Sequence, residues 1–172
     1  GSIRIEAKSV APGHVVHSSP FLIVKVASDR DVKKTPLQAI ARFLTGHGVE
    51  TTVGQSEAAA LWEKLVRLVA LACTTSLSRK PIGFIRKDPV WRDLLRKSVT
   101  EAQTVAAAEG VEMELDAQME ILDSMPETLT SSMSRDLAAG RRSELDAIAG
   151  AVIRAGRKRG IECPTIEDLM RR

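Results

Sequence analysis

The chain has 172 residues and a formal charge of +3, from 25 basic against 22 acidic residues, a length that fits one ordinary domain or one domain with a fragment of another. A composition of 44% hydrophobic and 27% charged residues excludes a disordered or collagen-like chain. The two signs of charge are mostly interspersed and Tyr is absent, which argues against a nucleic-acid surface, and Glu63, Lys64 and Arg67 interrupt the longest apolar run, which argues against a membrane span.

Gly1-Ser2 reads as a cleavage scar and is set aside, and no signal peptide follows it. Ile3–Lys8 and Phe21–Val26 read as short strands, with Ala11-Pro12-Gly13 and Ser18-Ser19-Pro20 as turns around a middle strand at His14–His17. Connections this short predict a small antiparallel meander. Thr35 before Pro36 reads as a helix N-cap, and Leu37, Ile40, Ala41 and Leu44 keep helical spacing until Gly46 and Gly48. Val49–Val53 returns as one more strand.

Beyond that point nearly everything reads as helix. Ser56 opens a run to about Lys80, where Pro81 and Gly83 stop it, and its apolar residues nearly encircle the axis, so a central buried helix is expected. Asp88-Pro89 starts the next, with Trp91, Leu94, Leu95, Val99, Ala102, Val105 and Ala106 as its inner stripe until Gly110. Further helices are expected at 115–124, 126–139, 143–158 and 165–171. The predicted class is therefore mainly α: a six- to seven-helix C-terminal bundle preceded by an incomplete α/β segment, whose few short strands and one helix make a thin sheet. Cys73 and Cys163 are too few for a disulfide framework and lack metal-ligand spacing, which points to small buried hydrophobes, a reducing, cytoplasmic setting and no metal.

One stretch carries polar residues at fixed spacing: Ser132-Met133, Asp136, Gly140-Arg141, Ser143-Glu144, Asp146 and Gly150. It resembles the "S-M-x-x-D-x-x-x-G-R-x-[ST]-E-x-D-x-x-x-G" signature of the C-terminal domain of ketopantoate reductases (2-dehydropantoate 2-reductases). Leu61-Trp62-Glu63-Lys64-Leu65 is similar to the family's "L-W-x-K-L", and Arg154, Gly160, Ile161 and Pro164 are similar to its "R-x-x-x-x-x-G-I-x-x-P" ending. The resemblance implies that residues 1–54, with the Pro12, Gly13 and His17 turn, are the C-terminal remnant of a Rossmann-type NADPH-binding domain. It implies that 55–172 form an all-helical substrate-binding and dimerisation domain. No G-x-G-x-x-G occurs in these residues, so the isolated chain is expected to lack a phosphate loop and to be inactive by itself.

The resemblance also implies roles for individual side chains. Lys64 matches the general acid that protonates the substrate carbonyl, Glu144 the glutamate that holds that lysine and meets the substrate hydroxyl, and Ser132 the serine that binds the substrate carboxylate. Spacing alone reads each more plainly: Lys64 as a surface lysine, Glu144 as a first-turn acid after an N-capping Ser143, and Ser132 as a solvated or back-bonded hydroxyl. Asp136 and Arg141 read as structural, bonding helix termini. The family's asparagines four and eight residues after the lysine are Leu68 and Ala72 here, and a third, before the next loop glycine, is Ile82. Losing three amides, each worth about 1 kcal/mol net as a hydrogen bond, removes the groups that select a polyhydroxy acid; Thr75 is the one candidate to replace a contact.

Two functions of different class follow. The first is the substrate-binding portion of an NADPH-dependent 2-oxoacid reductase, acting on a small 2-oxoacid and forming a homodimer or otherwise self-associating. The alternative is a non-catalytic ligand-binding or dimerisation module of the same descent. A nucleic-acid-binding bundle rests only on Arg154, Arg157, Lys158 and Arg159, which read better as the basic end of a helix.

Overall fold

The computed structural model describes residues 1–5, 7–29 and 35–172, apart from the side chains of Lys8 and Thr35. It divides into two compact units, Gly1–Leu61 and Trp62–Arg172. This division falls inside a helix.

The first unit holds β1 (Ser2–Arg4), β2 (Ala7–Ala11), β3 (His14–His17), β4 (Ile23–Val26), α1 (Thr35–Gly46) and β5 (Glu50–Val53). The single strand expected at Ile3–Lys8 is two strands in two sheets, and Glu6 between them lies outside the described residues. β2 and β3 form a hairpin with a register shift between Ser9 and Ala11; its turn needs Gly13, at φ 73°, where a Cβ would be strained. β4 lies between β1, antiparallel, and β5, parallel, with Val24 facing Ile3 on one side and Thr51 on the other. The meander is thus corrected: the middle strand β3 pairs with β2 in a sheet of its own while β4 pairs with β1, and α1 returns the chain so that β5 adds parallel to β4, which no hairpin connection can do. Ser2, set aside as a scar, pairs with Lys25. The proposed Thr35 cap lies on a side chain outside the described set.

The helix α2 (Glu57–Ser78) has its first turn tied back into this unit. The Glu57 N–H donates to Asp29 Oδ1 at 2.8 Å and the Asp29 N–H donates to Glu57 Oε1 at 3.2 Å. This reciprocal cap satisfies one of the amides a helix start leaves orphaned, and it is why the first turn belongs with the strands.

In the second unit α2 is followed by α3 (Ile82–Lys87), α4 (Pro89–Ala108), α5 (Leu115–Asp123), α6 (Ser132–Ala138), a π-helical turn (Asp146–Gly150) running into α7 (Ala151–Lys158), and α8 (Pro164–Arg171). α2 is buried all round from Val69 to Thr75, as its encircling apolar pattern predicts. Asp88 caps α4 as expected, its Oδ1 accepting from the Val90 and Trp91 N–H groups. Leu95, Val99, Ala102, Val105 and Ala106 form its buried stripe.

Three expectations in this unit are corrected. Gly83 does not stop a helix but lies in α3, where a Cβ would stand 2.8 Å from the Glu127 carbonyl oxygen; the bare backbone lets the Gly83 and Ile82 amides donate to Glu127 O and Leu129 O. That pairing holds residues 126–131 irregular, so the helix expected at 126–139 is confined to Ser132–Ala138. Ser143 does not cap the following helix: the regular turns begin at Leu145–Asp146, with the Ile148 N–H donating to Glu144 O at 2.9 Å.

Candidate functional site

On α2, Lys64, Leu68, Ala72 and Thr75 share one stripe, since offsets of four, eight and eleven residues fall within about 80° of one another at 3.6 residues per turn. Along it, burial deepens: Lys64 is exposed, Leu68 half-buried, and Ala72 and Thr75 fully buried. Lys64 thus lies at the surface, where spacing alone places it. Two positions where asparagines were expected to point at a substrate carry instead the lower, apolar part of this stripe, and Ile82, the third, is fully buried.

Thr75 is fully buried, and its hydroxyl is already engaged. It donates to Leu71 O at 2.7 Å and lies 3.0 Å from Ser131 Oγ. Ser131, 5% exposed, is the N-cap of α6, its Oγ accepting from the Ser134 N–H at 3.0 Å. Next to it Ser132 is exposed in the first turn of α6.

Glu144 is exposed in the loop between α6 and the π-helical turn, and that loop is pinned on both sides. Arg141 Nε and Nη2 donate to Asp136 Oδ1 at 3.0 and 2.7 Å, and the Arg141 N–H donates to Asp136 O. Gly140, at φ 66°, makes the left-handed turn that this closure needs. After Glu144, Asp146 accepts from Arg154 Nη1 at 2.7 Å and its carbonyl accepts from Nη2 at 3.1 Å. Asp136 and Arg141 do bond a helix terminus, as their reading as structural residues has it.

A surface cleft of about 350 Å³ lies elsewhere in the unit, lined by Asp146, Gly150, Arg154, Arg157, Glu167 and Arg171 among others. None of Lys64, Thr75, Ser132 or Glu144 lines it. Four of its charges pair off, Arg154 with Asp146 and Arg157 with Glu167 at 2.8 Å, so much of the cleft is an ion-pair surface. The thiols are unsuited to nucleophilic work: burial pushes Cys73 up to about 12, and burial followed by the charges of Glu101 and Glu167 pushes Cys163 up to about 11. Among the described residues no helix is long and apolar enough to cross a membrane.

Sequence reasoning missed Ser131 and Ser134, whose roles depend on which face of α6 meets α2. The π-helical turn at Asp146–Gly150 was also missed, although such turns often sit at functional sites.

The fold is shared with D-mandelate dehydrogenase, solved with NADH, which matches 99% of this chain and 59% of its own with a TM-score of 0.90 at 22% identity, a likeness of fold alone. The dimeric ketopantoate reductase of Staphylococcus aureus shares that fold, with a TM-score of 0.82 at 20% identity over 98% of this chain and 58% of its own. The family described as ketopantoate reductase PanE/ApbA C terminal matches residues 58–172, and the chain belongs to it. The 2-dehydropantoate 2-reductase of Halobacterium salinarum is 36% identical over 131 residues, 75% of this chain and 43% of that protein. The chain spans about half the length of the curated relatives it matches.

Proposed function

We propose that this chain is the oxoacid-binding portion of an NADPH-dependent reductase that converts a 2-oxoacid to its 2-hydroxy acid, as from ketopantoate to pantoate in pantothenate biosynthesis. The observation that carries it is the retention of Lys64, Ser132 and Glu144 at the positions of the family motifs, all three at the surface of the helical unit. On this reading residues 55–172 are the substrate and dimerisation domain and residues 1–54 the end of the coenzyme domain. The residues here do not fit the coenzyme phosphates, since no G-x-G-x-x-G occurs among them, and its binding is assigned to the rest of a longer cytoplasmic protein.

Reduction of a ketone builds alkoxide charge on the carbonyl oxygen. The Lys64 ammonium stabilises that charge and gives it a proton. Glu144 steadies the ammonium against desolvation as the substrate excludes water and accepts from the substrate hydroxyl. The Ser132 hydroxyl donates to the substrate carboxylate. Leu68, Ala72 and Ile82 in place of amides favour an acid less polar than ketopantoate.

In the full-length protein, assayed by NADPH oxidation with a panel of 2-oxoacids, Lys64→Ala is expected to lower kcat by about a hundredfold or more, the range of a lost general acid. Unchanged oxidation would overturn the assignment. The same apolar substitutions favour a second reading, a non-catalytic ligand-binding or dimerisation module. Tight binding of a 2-oxoacid with no turnover in the full-length protein would select it.

A further inference from the structure

The serines of the segment Ser131-Ser132-Met133-Ser134 do not all face the same way. Ser131, Met133 and Ser134 turn inward, Met133 being 1% exposed, while Ser132 between them is exposed. The inward hydroxyls meet the last turn of α2 in a chain whose direction is fixed by what each atom can still offer. The Thr75 O–H is committed to Leu71 O at 2.7 Å, so Thr75 Oγ1 is the acceptor at the 3.0 Å contact with Ser131 and the Ser131 O–H is the donor. Ser131 Oγ in turn accepts the Ser134 N–H at 3.0 Å. A second link runs beside it, the Ser134 O–H donating at 3.1 Å to the Thr75 carbonyl, one of those that the end of α2 leaves short of partners.

Every hydroxyl proton in this network has an acceptor, and Thr75 and Ser131 are sealed from water, a setting in which such bonds hold geometry tightly and are costly to break. Their joint effect is to fasten the first turn of α6 to α2 at two points three residues apart, with Ser132 outward between them. Lys64 rides on the same α2.

We propose that Thr75 and Ser131 are positioning residues for the 2-oxoacid: their buried hydroxyl chain sets the height and rotation of the first turn of α6 on α2, and so where Ser132 Oγ meets the substrate carboxylate. Thr75 then acts through Ser131 and not by touching the substrate. The inference rests on the reductase reading given above.

The test compares Thr75→Val with Thr75→Ser in the full-length protein. Valine keeps the volume and leaves Leu71 O with its helical amide bond, but takes the acceptor from Ser131; serine restores it. Thr75→Val is expected to raise KM for the oxoacid about tenfold, as misplacement of a substrate anchor does, with a smaller fall in kcat and KM for NADPH unchanged. Thr75→Ser should return KM to the wild-type value. In a Ser132→Ala background Thr75→Val should raise KM no further, because its effect passes through Ser132.

An unchanged KM in Thr75→Val, or the same rise in both backgrounds, would overturn the proposal. Hydrogen exchange at the Ser134 amide reads the lock without activity and should quicken in Thr75→Val. Quickened exchange in a protein that turns over no 2-oxoacid would leave the lock standing and remove its role toward substrate together with the reductase reading. Unchanged exchange would remove the lock itself.

Discussion

The two units bury their side chains very differently. Among the described residues of Gly1–Leu61 the buried ones are Ser19, Ala41 and Ala60, while Val10, Val15 and Phe43 are more than half exposed. In Trp62–Arg172 an unbroken run from Val69 to Thr75 is buried, together with Ile82, Ile85, Leu95, Val99, Leu122, Met133, Val152 and Ile166. One unit is held chiefly by strand pairing and turns, the other by a packed core. Hydrophobic burial is worth roughly 25 cal/mol per Å² of apolar surface removed from water, so the helical unit holds most of the stabilisation.

That contrast can be broken or sharpened by experiment, and hydrogen exchange should show the largest effect. Amides of α2 from Val69 to Thr75 are expected to exchange slower than those of β2 and β3 by on the order of a thousandfold, because local opening costs little where few apolar contacts must be given up. Equal protection would mean that the strands share the helical core's stability and that the contrast in burial has no energetic counterpart.

Next in size is a test of how rigid the core is. At Gly156 in α7 an added Cβ would stand 2.7 Å from Ile161 O and 3.2 Å from both Cys163 Sγ and Val105 Cγ2. At Gly150 it would meet the side chains of the exposed Asp146–Arg154 pair, with Arg154 Nη1 at 2.8 Å. Backbone and core atoms cannot yield as side-chain ends can, so Gly156→Ala should cost about 1–3 kcal/mol, as overpacking does. Gly150→Ala should cost within about 1 kcal/mol, the worth of one exposed ion pair. Urea titration of both variants measures the difference, and a Gly150→Ala cost equal to or above that of Gly156→Ala would show that the π-helical turn is as unyielding as the core.

The same contrast governs what the sequence reveals. Helices of the packed unit are legible because burial imposes a period: the encircling apolar residues of α2, the stripe of α4 and the Asp88-Pro89 start all follow from local rules. What is not legible depends on distant partners. α3 forms because Glu127 and Leu129, more than forty positions on, accept its first amides, and β5 lies parallel to β4 because of how α1 returns the chain. The site divides in the same way. The surface placement of Lys64 and Ser132 follows from spacing alone, but the burial of Thr75 does not, because it depends on which face of α2 and α6 meets the core. Ser131 and Ser134 read as ordinary polar residues until that packing is known.

The smallest expected effect concerns charge at the rim of the core. Arg92 Nη2 donates to Asp123 Oδ2 at 2.7 Å, across from α4 to the end of α5. The hydrogen bond from Arg92, and then its charge and that of Arg86, hold the Asp123 carboxyl below its usual range, and the same partner raises the Arg92 guanidinium. A carboxyl whose folded value is depressed favours the folded state above its ordinary unfolded value, near 3.9 for Asp, and that contribution is lost as pH falls through the folded value. Both side chains are about a third or more exposed, so water and salt screen the pair and its worth is within about 1 kcal/mol. Asp123→Asn should therefore lower Tm slightly at pH 7 and not at all at a pH below the folded value, with the gap at pH 7 narrowing in high salt. A Tm difference that persists at low pH would mean that the substituted amide disturbs the end of α5 by shape, where Arg86 also donates to the carbonyls of Leu122 and Met125, and that the charge contributes nothing measurable.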